Sequence, residues 1–515
     1  MSGASMRFRA ARLQPEPGRR LLDLLVRQGR LLLSVCGGRG GCGKCRVRID
    51  RGNVSPLTEK ELRILTPAEI QSGFRLACSC SAHGAVTVSI PEWEVMSGLP
   101  PATLRGKGQT ARCRSKVNIT GLALDIGTTN VAVAGYGLDR GSLQRTGSFL
   151  NPQISFGMDV ISRISQSPAL IQDDALIPAI RGLVESWGSS ISDIRRIVAV
   201  GNTTMCHFLL RRDASSLGVY PYRSALPLKT PLEQLVPGLG RRKVEVLPMI
   251  GSYLGADTVA AIVASGLSRG KGLGLLVDLG TNGEIVLGNR ERRLACSTAA
   301  GPALEGSNLS CGVLARPGAI IDCRIGRVRR GVPEFEFRVR GGGKPVGLCG
   351  SAVIRLLSEL VGRKLVESNG RISGRKPIRL VAAEASGTGR DIVLSQGDVR
   401  ELQLAKAAIA AGIRILLQEY GVRAADVRHV YLTGLLGGRL DRAAAMRIGL
   451  LPGLEHAAIS QQPNLALAGA QLALLEPDRL AEFTVAARRT HEVLLGNHPQ
   501  FNSVFVESLR LAPWE

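Results

Sequence analysis

Apolar residues recur at helical spacing between residues 398 and 417 of this chain. Steps of three and four residues place them on one face, which predicts a helix that packs against a core. Ser395 and Asp398 stand near the start of the stretch and are candidate capping residues. No chemical role is predicted for this helix. Its expected core positions are Leu402, Ala405, Ile409, Ile413 and Leu416.

A second pattern, strand, tight turn and strand, covers Leu122–Tyr136. The first apolar run ends at Asp125, and the chain then turns through Gly127, Thr128 and Thr129 before a second apolar run. Such a turn points successive backbone N–H groups and threonine hydroxyls inward, where they can bind phosphate oxygens. An acid at the strand end can hold Mg²⁺ through its waters, since magnesium keeps much of its hydration.

The same pattern returns 153 residues further along the chain, in Leu275–Gly288, with Asp278 at the strand end. The turn after it contains Gly280, Thr281, Asn282 and Gly283. A single turn of this kind also occurs in ordinary sheets. Two of them, at the starts of two halves, indicate a phosphate site with Asp125 and Asp278 as the candidate catalytic acids.

A third glycine turn follows the apolar run Val427–Thr433, which reads as a strand. Gly434, Gly437 and Gly438 come next, and a helix is expected from about Asp441. Glycines at a strand-to-helix turn leave room for a nucleoside, where bulkier residues would clash. A plain helix start fits the same residues equally well.

Shorter elements are predicted near the N-terminus. Strands are expected at Met6–Phe8, Arg46–Ile49 and Ala85–Ile90, the last from its alternating pattern, and a helix at Arg19–Gln28. Together they indicate a small domain that mixes strands with one main helix.

Cysteines are concentrated in this same region. Cys36, Cys42 and Cys45 have the spacing C-x5-C-x2-C within a glycine-rich loop, and Cys78 follows 32 residues later. Four thiolates are what a [2Fe-2S] cluster requires, two on each iron. Glycines let the loop wrap closely and aim N–H groups at the sulfurs. A zinc site using Cys80 is the alternative, but it leaves Cys36 and the glycine loop unexplained.

The composition fits a folded protein of two to four domains, with 515 residues, 44% hydrophobic and 21% charged residues. This excludes a disordered or collagen-like chain. No run approaches 18 apolar residues, and no secretory apolar core follows the basic N-terminus. We therefore expect a cytoplasmic protein.

The 66 basic and 42 acidic residues give a net charge of +24. An acidic protein partner fits this charge, and so does the codon bias of a GC-rich genome, because arginines are spread along the whole chain. Aromatic residues make up only 4%, too few for the stacking that single-stranded nucleic acid needs. We predict neither a nucleic-acid nor a membrane partner.

The cysteine-rich region and the three glycine turns each resemble a known protein module. The four cysteines resemble those of ferredoxin-like [2Fe-2S] domains with the five-residue first gap of adrenodoxin-type members. In order, the three glycine turns resemble the phosphate 1, phosphate 2 and adenosine motifs of the actin-like ATPase superfamily, which contains acetate and sugar kinases and the large chaperone ATPases. Four longer strings are similar to the ATP-dependent reductive activators of corrinoid proteins, which join both modules: Val198–Leu210, Cys296–Ile320, Pro345–Leu360 and Asp398–Leu417.

The resemblance implies an α/β fold class, with a β-grasp ferredoxin-like domain followed by a two-lobed actin-like, ribonuclease H-like ATPase. The expected boundaries are residues 1–93 for the [2Fe-2S] domain, 94–118 for a linker and 119–515 for the ATPase domain. Its second lobe is expected to start near residue 272.

The function implied by the resemblance is ATP-dependent electron transfer to a corrinoid protein, which reduces Co(II) to Co(I) and reactivates a cobalamin-dependent methyltransferase. The implied cofactors are a [2Fe-2S] cluster, ATP and Mg²⁺, and the implied partners are the corrinoid protein and an electron-donating reductase or ferredoxin. A homodimer is also implied. Two alternatives stay open: a small-molecule kinase with an appended ferredoxin domain, and an activator of another low-potential enzyme.

Overall fold

The computed structural model describes residues 8–32, 34, 36–91, 95–96, 118–165, 175–306, 309–313, 316–329, 332–451 and 453–513. The chain divides into two compact units. The first contains Met1–Ala260 and Gly469–Thr484, and the second contains Ala261–Ala468 and Val485–Glu515. Most of the predicted linker, 94–118, lies outside the described residues.

The N-terminal strands of the first unit are β1 (Phe8–Leu13), β2 (Leu31–Leu32), β3 (Arg46–Arg51), β4 (Phe74–Leu76), β5 (Val86–Pro91) and β6 (Val95–Met96). Within the described residues, β1, β5, β3 and β4 form one sheet in that order, and β2 pairs with β6. The helices here are Leu21–Arg27, Glu59–Ile64 and Pro67–Gln71.

The first strand extends further than the sequence predicted. The expected strand was Met6–Phe8, of which only Phe8 lies within the described residues, and β1 runs from Phe8 to Leu13. Ala11 and Leu13 are buried while Arg12 is exposed, so the chain alternates as a strand requires. The interleaved arginines hide this alternation in the sequence. The other predicted elements of this region are confirmed to within about two residues.

One buried ion pair holds the sheet edge that precedes Cys78. The Arg75 Nε and Nη2 atoms donate to the two carboxylate oxygens of Glu61 at 2.8 and 2.9 Å, and the Leu76 amide donates to Glu61 Oε1 at 3.0 Å. Glu61 is 0% exposed and also completes the capping box of its helix with Thr58. The position of β4, and of the residues after it, depends on this carboxylate.

The remaining strands of the first unit are β7 (Gly121–Ile126), β8 (Asn130–Gly137), β9 (Ser142–Leu150), β10 (Arg196–Gly201), β11 (Leu232–Leu235) and β12 (Lys243–Val246). In the described part of the chain they form a sheet of order β11-β12-β10-β7-β8-β9. Its helices include Val160–Ile164, Ile177–Ser186, Thr203–Leu209 and Ala256–Ala264.

The second unit has a large sheet, a small sheet and a hairpin. Its strands are β13 (Gly274–Leu279), β14 (Gly283–Gly288), β15 (Arg293–Thr298), β16 (Ala319–Arg329), β17 (Val332–Val339), β18 (Gly347–Leu348), β19 (Ile378–Val381), β20 (Ile392–Leu394), β21 (His429–Thr433), β22 (Ala458–Gln461) and β23 (Thr490–Glu492). Among the described residues, the large sheet has the order β22-β21-β13-β14-β15-β23. The helices of this unit include Gly350–Gly362, Gln396–Tyr420, Gly434–Gly437, Arg442–Arg447 and Phe501–Glu507, whereas most of Leu465–Leu475 and of Leu480–Arg488 lies in the stretch Gly469–Thr484 of the first unit.

The two large sheets repeat one topology. In each, a hairpin of two antiparallel strands (β7 and β8, or β13 and β14) is flanked on one side by a parallel strand, β10 or β21. The hairpin turn and the carboxyl end of the parallel strand therefore meet at one edge of each sheet, which is where α/β proteins bind ligands.

The predicted core helix is confirmed as Gln396–Tyr420, with Ser395 and Asp398 in a capping box. All five of its predicted core positions are buried. Asp398 also accepts hydrogen bonds from the Ser310 amide and hydroxyl, both at 2.6 Å. Within the part of the chain that the structure describes, no helix is long and apolar enough to span a membrane.

Candidate functional site

Cys36 and Cys42 form the first thiol pair of the glycine loop. Their side chains are hydrogen-bonded to each other, and the Gly41 amide donates to Cys36 Sγ at 3.4 Å. Burial opposes ionisation of Cys36, but the amides of Gly41 and Cys42 outweigh it and lower the pKa of its thiol. Burial raises the pKa of the Cys42 thiol. The glycine loop thus solvates sulfur with backbone N–H groups, as the sequence predicted.

Cys45 and Cys78 form the second pair, deeper in the domain. The hydrogen bond from Cys45 lowers the pKa of the Cys78 thiol to about 6, against the effect of burial, and Ser79 and Arg20 lower it further. The same hydrogen bond and burial raise the pKa of Cys45. The ionisation of the two thiols is therefore coupled, and the thiolate is the form that binds metal.

Arg20 is the cation beside these sulfurs. It caps the helix Leu21–Arg27, with its Nη2 atom 2.9 Å from Asp23 Oδ1, and its Nη1 atom donates to the Gly38 carbonyl at 3.3 Å. Its charge interacts favourably with both thiols of the second pair, Cys45 and Cys78. A fixed positive charge at this position favours negative charge on the sulfurs.

Cys80 has different neighbours from the other four cysteines. It is 0% exposed, its thiol is hydrogen-bonded to Ser55, and the nearby charges are Arg75 and Glu61. Burial raises the pKa of its thiol. The neighbours of the Cys80 thiol are therefore Ser55, Arg75 and Glu61, whereas those of the Cys78 thiol are Cys45, Ser79 and Arg20.

The four remaining thiols fit a [2Fe-2S] cluster, which takes two cysteines on each iron. They form two pairs, Cys36 with Cys42 and Cys45 with Cys78. In the described residues, no group of three or more His, Cys, Asp or Glu side chains is placed to hold a single metal ion.

The predicted first phosphate loop is the turn between β7 and β8. The Gly127 amide donates to the Asn130 carbonyl at 3.0 Å and closes the turn. Thr128 and Thr129 are buried, at 7% and 5% exposed, and Asp125 is partly exposed on β7. The predicted residues are therefore together at one turn of the first unit.

Asn202, the residue that follows strand β10, also contacts this loop. Its side-chain amide donates to Thr128 Oγ1 at 2.9 Å, and its Oδ1 atom caps the helix Thr203–Leu209 by accepting from the Met205 amide at 3.0 Å. The start of a helix favours anions. His207 in this helix is fully buried, with hydrogen bonds to Thr203 and Ala225, so it is a packed residue.

Asp257 is a buried acid beside the helix that Asn202 caps. It lies close enough to Cys206, in the same helix as His207, that its charge helps to raise the pKa of that thiol. Burial raises the pKa of Asp257 to about 6, although Thr258 donates to its Oδ1 atom at 2.7 Å. A carboxyl group with this pKa can gain or lose a proton near neutral pH.

The predicted second phosphate loop is the turn between β13 and β14. The Gly280 amide donates to the Asn282 carbonyl at 3.1 Å, and the buried Thr281 donates its hydroxyl to Glu305 Oε1 at 3.0 Å. Asp278 is partly exposed at the end of β13. Glu305 therefore adds an acid to the predicted set.

The glycine turn at Gly434, the candidate nucleoside contact, lies against this second loop. Gly434 has φ +85°, and a Cβ there would lie 2.3 Å from Asp278 Oδ1 and 2.6 Å from the Leu279 carbonyl oxygen. Only glycine fits so close an approach. The turn is a short helix, Gly434–Gly437, in which the Gly438 amide donates to the Gly434 carbonyl at 3.1 Å. The next helix begins after Asp441, its N-cap residue, as predicted.

Three family models match this chain: the 2Fe-2S iron-sulfur cluster binding domain at residues 9–83, the RACo middle region at 120–270, and the C-terminal domain of RACo, the ASKHA domain, at 272–514. The "Corrinoid activation enzyme RamQ" of Eubacterium limosum is 33% identical over 422 residues, which cover 75% of this chain and 70% of that protein.

The chain belongs to the RACo-type reductive activators of corrinoid proteins. A "[Co(II) methylated amine-specific corrinoid protein] reductase" of Methanosarcina barkeri is 25% identical, over 75% of this chain and 76% of that protein. A solved "Reductive activator for corrinoid,iron-sulfur protein" is 26% identical with a TM-score of 0.68, and the match covers 97% of this chain and 98% of that one. The predicted fold class, a ferredoxin-like [2Fe-2S] domain plus an actin-like ATPase, is confirmed.

Sequence reasoning missed several polar residues of this RACo-type site. Asn202 and Glu305 hydrogen-bond to Thr128 and Thr281 from separate elements, and Asp257 lies beside Cys206. Asn202 and Glu305 lie in strings that resemble the family, VAVGNTT and GPALEG. A polar residue directly after an apolar strand was the available signal for Asn202.

Proposed function

We propose that this chain is an ATP-hydrolysing reductive activator that passes an electron to a corrinoid protein, reducing Co(II) to Co(I) and reactivating a cobalamin-dependent methyltransferase system. One observation carries the proposal: a loop with two thiol pairs and two phosphate loops occur in one chain that is 33% identical to a corrinoid activation enzyme. A kinase or a simple ferredoxin needs only one of these modules.

The proposed cluster ligands are Cys36, Cys42, Cys45 and Cys78. A [2Fe-2S] cluster held there would supply a one-electron couple, and such centres in plant-type ferredoxins lie at about −400 mV. The amide of Gly41 and the charge of Arg20 would stabilise negative charge on the sulfurs. These groups are the means by which this chain can set the potential of the donor.

The proposed nucleotide ligands come from the three turns. Backbone amides and hydroxyls of the turns at Thr128 and Thr281 would bind phosphates, with Asp125 and Asp278 holding Mg²⁺ through its waters. The other proposed phosphate and nucleoside contacts are Gly127, Thr129, Gly280, Asn282, Gly283, Gly434, Gly437 and Gly438. The nucleotide can then influence the electron transfer only if it binds two conformations of the protein with different affinities.

We also propose the boundaries 1–93, 94–118 and 119–515, with a second lobe from about residue 272, which the matched ranges 9–83, 120–270 and 272–514 support. An electron-donating reductase or ferredoxin as the source of the electron, and a homodimer, are proposed on the family relationship alone.

An anaerobic reduction assay tests the function. The reconstituted protein, a reductant and a Co(II) corrinoid protein are mixed, and Co(I) is followed by its absorbance. We expect Co(I) only with Mg-ATP, and none with Asp125→Ala or Asp278→Ala, which should retain the cluster spectrum because the acids lie outside the cysteine loop. Co(I) formation at the full rate without ATP would contradict the proposal.

Cysteine variants provide the matched control. Cys78→Ser should abolish the [2Fe-2S] spectrum and the reduction, whereas Cys80→Ser should keep both, because Cys80 faces Ser55 and Arg75. If ATP instead phosphorylates a small molecule at a rate that is unaffected by removing residues 1–93, the kinase alternative replaces this proposal.

A further inference from the structure

The stretch from Asn151 to Arg163, here named the bridging segment, is almost entirely buried in the first unit. It contains Asn151, the 3-10 turn Pro152–Phe156, a short connection and the helix Val160–Ile164 as far as Arg163. Its polar side chains Asn151 and Ser155 are 0% exposed. Since burial of polar groups is costly unless they are hydrogen-bonded, their partners show what the segment holds.

One end of the bridging segment holds the first phosphate loop. The Asn151 amide donates to the Thr129 carbonyl at 2.8 Å, and its Nδ2 atom donates to the Gly127 carbonyl, also at 2.8 Å. The Asn151 Oδ1 atom accepts from the Gln153 amide at 3.0 Å. Asn151 thus binds the loop backbone on both sides of Thr128 and fixes it to the start of the 3-10 turn.

The other end contacts the cysteine loop. Ser155 Oγ donates to the Leu32 carbonyl at 3.0 Å. Gly37, next to Cys36, has φ +62°, and a Cβ there would lie 2.9 Å from the carbonyl oxygens of both Phe156 and Ser162. The backbone beside the first thiol pair therefore packs directly on the bridging segment.

Internal hydrogen bonds make the segment a stiff connection. The fully buried Arg163 donates from Nε to the Gly157 carbonyl at 2.7 Å and from Nη1 to Gln153 Oε1 at 3.4 Å. Arg163 and Asn151 both approach Met205 Sδ, at 3.6 and 3.8 Å. A displacement at one end is therefore passed on to the other, because a packed interior has few voids to absorb it.

We propose that the bridging segment couples nucleotide binding at the first phosphate loop to the docking of the cysteine loop, with Asn151 and Ser155 as positioning residues. The inference rests on the proposed function, which makes ATP and a [2Fe-2S] cluster the ligands of these two loops. Phosphate oxygens that bind the turn reposition the carbonyls of Gly127 and Thr129, and Asn151 follows them. The contacts at Leu32 and Gly37 then change with the nucleotide.

Coupling between two ligand sites is reciprocal. If nucleotide binding changes the docking beside Cys36, it also changes the free energy of reducing the cluster. Reduction must then change the nucleotide affinity by the same factor.

The test uses the full chain with its cluster assembled, Mg²⁺ and a nonhydrolysable ATP analogue. The dissociation constant of the analogue is measured for the oxidised and the reduced protein, and the midpoint potential with and without the analogue. We expect a ratio of the two constants of about fivefold or more, the usual size of such coupling. A tenfold ratio corresponds to a shift of about 59 mV for one electron. Hydrogen exchange of residues 31–40 should also change when the analogue binds.

Three variants locate the coupling. Ser155→Ala should keep the cluster spectrum and the affinity of the oxidised protein for the analogue, while the ratio falls toward one. Asn151→Asp should also reduce the ratio, because it loses the donor to Gly127. Ser186→Ala is the matched control: it removes a hydroxyl bond of 2.6 Å to Leu183 in its own helix, and the ratio should stay at the wild-type value.

A ratio of one in the wild type, with an unchanged potential, would overturn the proposal. So would a full ratio in both Ser155→Ala and Asn151→Asp. No corrinoid protein is present in these measurements. A failure of the coupling is therefore separate from a failure of the proposed function, which the Co(I) assay detects.

Discussion

Sulfur chemistry in the cysteine loop depends on individual neighbours, and only some of these are visible in the sequence. Cys36, Cys42 and Cys45 lie within ten residues of one another, so local spacing was enough to predict that they act together. The approach of Arg20 to Cys78 was not predictable, because it arises from the packing of a helix start against the loop. Such contacts depend on tertiary structure, which short-range patterns do not encode.

Removing the charge of Arg20 should lower the potential of the cluster. A reduced cluster carries one more negative charge, which the guanidinium beside Cys45 and Cys78 stabilises. For Arg20→Gln we expect a midpoint potential lower by on the order of tens of millivolts, measured by redox titration of the visible spectrum. Arg19→Gln is the control, because the partner of Arg19 is Glu16. Equal shifts in the two variants would contradict a local effect.

The carboxylate of Glu61 should make the domain sensitive to acid. Burial opposes its ionisation, but bonds from Arg75 and backbone amides outweigh burial and hold the pKa of Glu61 below its usual 4.5. This stabilisation is therefore present above pH 4.5 and is lost as the pH falls through the lower pKa of the folded state.

Glu61→Gln should cost about 3 kcal/mol at pH 7, because it leaves Arg75 buried without its charge partner. Unfolding is followed by the visible circular dichroism of the cluster. Glu59→Gln, exposed on the same helix, controls for the acid lability of the cluster itself. The difference in unfolding free energy between these two variants should stay constant from pH 7 to pH 4.5 and shrink as the pH falls below 4.5, and a constant difference there would show that ionisation of Glu61 is not involved.

At the scale of elements, both strand-turn-strand units were predictable, because apolar runs that end in Asp and Gly are local signals. The helix Gln396–Tyr420 followed equally well from its spacing. The contact between Gly434 and Asp278 was not predictable, since 156 residues separate them in the chain and parallel pairing of β13 with β21 brings them together. The sequence left open whether this turn contacts a nucleoside or only starts a helix. Its contact with the second loop favours the nucleoside contact.

Gly434→Ala tests that contact. The added methyl group meets Asp278 Oδ1 and the Leu279 carbonyl, so it should displace the second phosphate loop and reduce the affinity for Mg-ATP at least tenfold. Isothermal titration gives the affinity. Gly421→Ala is the matched control: its φ of +78° is similar, but a Cβ there meets nothing within 4 Å. Both variants carry the same backbone strain, so equal affinities would rule out the clash as the cause.

At the scale of the whole molecule, two ATPase lobes were expected from the two similar hairpins. The return of Gly469–Thr484 to the first unit was not. The helix Leu465–Leu475 is apolar on nearly all sides. Its pattern therefore predicts that the helix is buried, but not which part of the chain it packs against. Its place is fixed by a close backbone approach of Gly469 to Ala260, and by Arg196 Nη1, which donates to the Leu474 carbonyl at 2.9 Å.

Truncated chains test whether the stability of the first unit depends on the stretch Gly469–Thr484. A chain that ends at residue 468 lacks the returning stretch, whereas one that ends at 484 retains it, and both lack 485–515. Hydrogen exchange of Arg196–Gly201 should be clearly faster in the shorter chain, because Arg196 loses its acceptor and Ala260 its neighbour. Equal protection in the two chains would show that the first unit is stable without its returning stretch.

The two parts of the first unit are synthesised at different times, because a large part of the second unit lies between them in the chain. The cysteine loop leaves the ribosome early, but the stretch Gly469–Thr484, which completes the same unit, is made 224 residues after Ala260 (484 − 260). At 5 to 20 residues per second, that delay is roughly ten to forty seconds. Throughout this interval the surface that later packs against Gly469 and Leu474 is exposed to solvent in the nascent chain. The proposed cluster ligands have already been synthesised by then.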